Sequence, residues 1–466
     1  MKFLAVSPEA GEWTQPSPLA GAVNYLTRAY ARSGTEILTC SPFYPAFFGN
    51  LSDYTLVYKG VEKLRNLPFE VWRGKDPLHS YIRFDEYFGR SDVYGTDVPY
   101  ADNHLRFSFL VSAALAYCEA IHFDPNGIWG HDWGGALAGP IAKNTYKEAF
   151  GALPFFFTVH NITYDFHVPE SEIEKIGLPR KDFNMDGYEF WGKVSILKTG
   201  IFYATKVLLP SPGYREALLG SSALSGGLSG FLNRNKDKLK GIQFGLNYSF
   251  WDFNYEAKRP IGEAKKAARA ALESELGISF GGNCVIYCNL EEESSRTAET
   301  LATIIADVMK LNAFVIIGTK ENSEAWNYYR SIAERNPSRM KVVPVGTNEI
   351  LRGRLAGSDI LFAANLREPS ASLVLKALAA GTVPLTGKDV GCANLLSDYC
   401  GNVSLANAML VDDAAAPDQM LRRLKDAADI YATAPAFWAE IVNNAYLFRY
   451  EWDRTIAQYL LTFGEA

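Results

Sequence analysis

The sequence predicts an α/β fold of two Rossmann-like domains facing each other across an interdomain cleft. Short apolar runs of strand length alternate with longer stretches whose apolar residues recur at helical spacing, the pattern of a mostly parallel sheet wrapped by helices. The alternation runs twice, with a break near residues 250–260. The chain has 466 residues, and domains typically hold about 150–200 residues each, so two or three are expected.

The first series opens with a short apolar strand at 3–6, followed by a loop and a helical pattern over 19–32. Further strands are expected at 35–39, 127–129, 155–159 and 206–210, with amphipathic helices at 105–119 and 137–147 between them. Pro260 ends whatever precedes it, and a charged helical stretch over 263–276 starts the second series. Strands are expected there at 284–288, 313–318, 341–345, 360–363 and 383–385. The tail from 435 to 463 reads as one or two aromatic-rich helices that pack back across both domains. The expected domains are therefore 1–256 and 257–434, with closing helices over 435–466. Ligands of open α/β sheets bind beyond the C-terminal ends of the strands, so the candidate site residues are sought there.

Bulk properties exclude several classes. With 48% hydrophobic and 21% charged residues, the chain is ordinary globular material and not a disordered one. A net charge of −6 argues against nucleic acid or a membrane surface as partner. No stretch reads as a signal peptide and none reaches the roughly 20 apolar residues that span a bilayer, so the cytoplasm is the expected location. The cysteines at 40, 118, 284, 288, 392 and 400 are scattered. Cys284 and Cys288 share an apolar strand with no histidine nearby, so reduced core thiols are expected rather than a metal site.

A set of motifs then appears in order along the chain. Asp102-Asn103-His104-Leu105-Arg106-Phe107 comes first, then Trp129-Gly130-His131-Asp132-Trp133 and Thr158-Val159-His160-Asn161 with Tyr164. Leu197-Lys198-Thr199-Gly200, Ser211-Pro212-Gly213-Tyr214 and Gly241-Ile242-Gln243-Phe244-Gly245-Leu246-Asn247 with Trp251 follow. Arg367-Glu368-Pro369, Gly381-Thr382-Val383-Pro384 and the closing Trp438, Asn444-Ala445 and Glu451-Trp452 complete the series. In this order the chain resembles the glycogen/starch synthases of glycosyltransferase family 5, as a divergent member, over nearly its whole length. The resemblance implies the GT-B arrangement, with the acceptor on the first domain and the nucleotide sugar on the second. It also implies ADP-glucose or UDP-glucose as donor, elongation of an α-1,4-glucan with retained configuration, and neither a metal ion nor another cofactor.

By the same resemblance, His160 stands near the transferred glucosyl unit with Asn161 beside it, Asp132 is a cleft aspartate, and Glu368 contacts sugar hydroxyls of the donor. Other positions depart from the family. Its Lys-Thr-Gly-Gly-Leu loop reads Gln15-Pro16-Ser17-Pro18-Leu19 here, and proline removes an N–H that could cradle phosphate. Its Arg-Leu-x-x-x-Lys-Gly motif reads Asn289-Leu290-Glu291-Glu292-Glu293-Ser294-Ser295, so both donor-clamping cations are absent and three carboxylates lie between their slots. Gly21 replaces a family aspartate and Gly134 a family histidine. Arg296, Arg367 and Lys388 are the cations that could stand in. A phosphate-loop reading of the stretch ending in Gly387-Lys388-Asp389 fails, because the glycine spacing is one too long and Asp389 replaces the Ser/Thr that binds Mg²⁺. Tyr94, Tyr100 and Trp133 are aromatic candidates for stacking on sugar.

Two functions fit these residues. One is a catalytically weak or silent homologue that binds glucan or a protein partner and regulates a true synthase. The other is an active retaining glycosyltransferase with a rebuilt donor site.

Overall fold

The computed structural model describes the chain except residues 12, 14–16, 97, 256–260, 291–295, 365–368, 401–403 and 466. It divides into two compact units. The first holds Met1–Pro210, Arg215–Ile242 and Trp452–Ala466, and the second Ser211–Tyr214 and Gln243–Glu451.

The first unit is built on a nine-stranded sheet. Its strands are β1 (Lys2–Val6), β2 (Glu36–Pro42), β3 (Thr55–Val61), β4 (Pro68–Arg73), β5 (His79–Arg83), β6 (Gly127–His131) and β7 (Phe155–Thr158). A small antiparallel sheet of β8 (His167–Pro169), β9 (Glu189–Phe190) and β10 (Lys193–Ser195) stands apart, and β11 (Lys206–Leu209) and β12 (Leu239–Gly241) return to the main sheet. The spatial order is β12-β11-β7-β6-β1-β2-β5-β4-β3. Strands β12 to β5 run parallel, while β4 and β3 close the edge antiparallel. The chain starts in the middle and winds outward both ways, so the topological switch point lies between β1 and β6.

Helix α1 (Pro18–Arg32) follows β1, and α2 (Asn103–Ala120) precedes β6. Buried residues from Asn103 to Cys118 surround almost the whole of α2, including Arg106. Arg106 donates to the carbonyls of Tyr87 and Val93, both at 2.7 Å, so its charge is held by backbone and not by water. The expected helix over 137–147 is broken into Ala138–Asn144 and Lys147–Phe150. Helix α3 (Ile196–Tyr203) follows β10 and starts on a Ser195 cap. The C-terminal helix Trp452–Gly464 belongs to this unit, where Phe463 packs on Phe3 and Phe156 at ring distances of 4.7 and 4.4 Å.

The second unit carries a wholly parallel six-stranded sheet. Its strands are β13 (Cys284–Leu290), β14 (Ala313–Thr319), β15 (Met340–Pro344), β16 (Ile360–Phe362), β17 (Val383–Gly387) and β18 (Met409–Val411). The order β15-β14-β13-β16-β17-β18 is the doubly wound one, with its switch point between β13 and β16. Helix α4 (Ile261–Leu276) leads into β13 and α5 (Arg296–Val308) follows it. Apolar residues fill both faces of the sheet, Val285 and Tyr287 on one and Ile286 and Cys288 on the other. A strand buried on both sides reads as a continuous apolar run. Residues 243–255, placed in the first domain from the sequence, join this unit: Trp251, Phe253 and Tyr255 lie in the same cluster as Val285 and Tyr287. Five cysteines are buried as expected, but Cys400 is exposed beside Asp398.

Candidate functional site

In the first unit the loops after β1, β6 and β7 converge at the switch point. Asp132 follows β6 with a left-handed backbone, φ +47°. That geometry aims its carboxylate across to the end of β7, where Oδ1 accepts the His160 N–H at 2.7 Å. Burial pushes the Asp132 carboxyl up to about 7, and the amides of His160 and Asn161 pull the other way. His131 Nδ1 and His160 Nε2 lie 3.1 Å apart, so one ring donates to the other. Burial holds both imidazoles well below their ordinary value, and the neighbouring His160 lowers His131 further. A neutral His160 offers hydrogen bonds at pH 7, not a positive charge. Asn161 accepts from the backbone and hydroxyl of Thr163 at 3.0 and 2.8 Å, which commits its oxygen to a local turn. The structure thus brings Asp132, His160 and Asn161 together, and adds His131.

The loop after β1 supplies a group that sequence reasoning missed. Glu9 is 5% exposed, and its Oε1 accepts from the Tyr94 hydroxyl at 2.5 Å. Its Oε2 accepts from Ser17, whose Oγ in turn caps α1 by accepting the Ala20 N–H at 3.0 Å. Burial raises the Glu9 carboxyl above its ordinary range. Pro18 opens the helix, so the first turn of α1 combines a missing N–H, a hydroxyl cap and a buried carboxylate. The spacing from Glu9 to Ser17 carried no motif, and only the fold makes them neighbours.

The aromatic candidates are committed elsewhere. Trp133 is 7% exposed and stacked on Phe166 at 5.3 Å. Tyr94 is bound to Glu9, and Tyr100 packs against Arg90 and Arg106 at 4.7 and 5.0 Å. Packing therefore replaces the expected stacking role. Among the described residues of this unit, Trp191 (87%) and Tyr164 (62%) are the most exposed aromatic side chains.

In the second unit, Asn289 lies near the end of β13 and its Oδ1 accepts from the Tyr287 hydroxyl at 3.2 Å. Lys388 follows β17 and pairs with Asp412 at 2.6 Å in an exposed ion pair. Asp389 is exposed, and its carboxyl is held above the ordinary carboxylate range chiefly by desolvation; Asp413 adds to this and the Arg296 guanidinium opposes it. Arg296 opens α5. Of the two stand-in cations among the described residues, Lys388 is thus already paired with a carboxylate. Gly213 and Gly391 lie back to back, with the Gly213 N–H donating to the Gly391 carbonyl at 3.2 Å. A Cβ on Gly391 would come within 2.7 Å of Ser211 Oγ and 2.8 Å of the Pro369 carbonyl, so only glycine fits. Glu368 and Arg367 lie outside the described residues, as do Gln15 and residues 291–295. Among the described residues, no three metal-ligating side chains gather, and no helix is long and apolar enough to cross a membrane.

The family model for the starch synthase catalytic domain matches residues 2–234. The chain belongs to the starch/glycogen synthase family. A glycogen synthase from Photobacterium profundum is 26% identical, over 99% of this chain and 94% of its own length. One from Thermodesulfovibrio yellowstonii is 28% identical, over 85% of this chain and 86% of its own. The catalytic domain of starch synthase IV from Arabidopsis thaliana, bound to ADP and acarbose, superposes with a TM-score of 0.83 at 19% identity, covering 99% and 98% of the two chains. That likeness shows the fold, two Rossmann-like units of the GT-B type. As a member of the starch/glycogen synthase family, the chain is related to glycosyltransferases.

Proposed function

We propose that this protein is a starch/glycogen synthase homologue with a degraded donor site, which transfers little or no glucose from ordinary nucleotide sugars. It serves instead as an α-glucan-binding, regulatory protein. Breaking the glucosyl–phosphate bond places negative charge on a departing diphosphate, and fixed cations and N–H groups supply most of the stabilisation of that charge. The observation that carries the reading is the first turn of α1. A buried carboxylate, Glu9, already engages the Ser17 cap there, and Pro18 offers no N–H. The second unit supports the same reading independently, with Asn289 in the family's arginine slot and Lys388 paired to Asp412. Loss of one charge-stabilising donor typically costs about 10²–10³ in rate, and several losses cost more even without strict additivity.

The second reading, an active retaining glycosyltransferase, draws on Asp132, His160 and Asn161, which stand together at the switch point. Incubating the protein with ADP-glucose or UDP-glucose, with and without glycogen, separates the two. Nucleoside diphosphate release at background with either donor is expected, together with a thermal shift on adding maltooligosaccharide. Release well above background would establish the second reading.

A further inference from the structure

Strands β9 and β10 are joined by two residues, Trp191 and Gly192, with Lys193 paired to Phe190 across the turn. Both turn residues are left-handed, φ +52° and +75°, as in the tight type I′ turn for which Asn-Gly is favoured. Tryptophan in the first position carries a strain that asparagine bears more easily. Burial does not compensate, because the ring is 87% exposed. The base beneath it is firm. Buried Lys198 donates to the carbonyls of Met185 and Glu189, both at 2.7 Å, and lies 4.7 Å from the Phe231 ring. The Gly192 N–H donates to Glu189 Oε1 at 2.7 Å, and Phe190 stacks on His167 at 5.5 Å.

We infer that Trp191 is an α-glucan platform on which the apolar face of a glucose ring stacks, a site that rests on the glucan-binding half of the proposed function. A pyranose presents a flat C–H face with hydroxyls around its rim. Trp191 presents a flat ring flanked along the chain by Glu189 and Lys193, whose charged groups suit those hydroxyls. The area favours a sugar over a protein. One aromatic side chain buries about 150–250 Å², whereas a stable protein interface needs about 1,000 Å² or more. A glucan needs only one ring per contact, and its repeated units raise avidity.

The test is binding of maltoheptaose and glycogen to the full chain without nucleotide, comparing the parent with Trp191→Asn and Trp191→Phe. Asparagine suits the turn, so Trp191→Asn is expected to melt at or above the parent's temperature while losing about tenfold in maltoheptaose affinity. Trp191→Phe is expected to keep part of that affinity. Equal affinity of parent and Trp191→Asn would overturn the platform, as would a parent that binds neither glucan. So would self-association of the parent that Trp191→Asn abolishes while glucan binding is unchanged. None of these arms involves a sugar nucleotide, so the donor-site reading stands or falls separately, on diphosphate release.

Discussion

At the strand ends of the first unit, Asp132 and Ser17 anchor backbone amides; at those of the second, Lys388 is paired with a carboxylate. Asp132 holds the amide of His160, and Ser17 holds the first turn of α1. Lys388 faces Asp412. The difference matters because a backbone anchor fixes a loop whether or not ligand is present. A cation already facing a carboxylate has less to offer an incoming phosphate. On the proposed reading, the loop at Asp132 and His160 keeps its anchors, while the second unit offers a diphosphate little free positive charge.

The largest effect should come from restoring charge to the second unit. Asn289→Arg with Ser294→Lys is expected to raise nucleoside diphosphate release from ADP-glucose by about 10²-fold over the parent, read by a coupled assay. No gain would locate the deficit in the first unit instead. Next in size is Asp132→Ala, which strands a buried amide and leaves alanine in a left-handed conformation. A loss of about 2–3 kcal/mol is expected from the urea unfolding of the first unit.

Asp132→Asn sharpens the comparison through pH. The folded carboxyl sits near 7 against an ordinary 3.8, so folding disfavours its ionisation. Its contribution to stability is therefore full below about pH 4, falls as pH rises toward 7, and stays lost above that. The stability of Asp132→Asn relative to the parent should thus rise between pH 4 and 7 and then level off, seen in unfolding curves at several pH values. The smallest effect is assigned to Lys388→Ala. Its exposed pair with Asp412 should leave the melting temperature unchanged, and a clear drop would mean that the charge is structurally engaged.

Much of the fold was legible because parallel strands buried on both faces announce themselves as apolar runs, as in Cys284–Leu290 and Ala313–Thr319. The antiparallel edge was not: Thr55–Val61 has no fully buried residue, and its apolar residues do not alternate with polar ones as in a half-buried strand. Within the site, the motifs around Asp132 and His160 pointed to the right strand ends. The hydrogen bond joining them across 28 positions of sequence could come only from the sheet order. Glu9 carries no sequence signal, because its partners Ser17 and Tyr94 are brought to it only by the fold. Trp133, a stacking candidate from its residue type, has a face already covered by Phe166, which the sequence does not reveal.

The charge deficit is tested most directly by titrating the protein with ADP and with UDP in a calorimeter at low ionic strength, where attraction between exposed charges is least screened. No saturable heat is expected up to about 1 mM nucleotide, a concentration at which an affinity near 4 kcal/mol would already show. Saturation in the low micromolar range by either diphosphate would contradict the account, since it would require cations poised for phosphate.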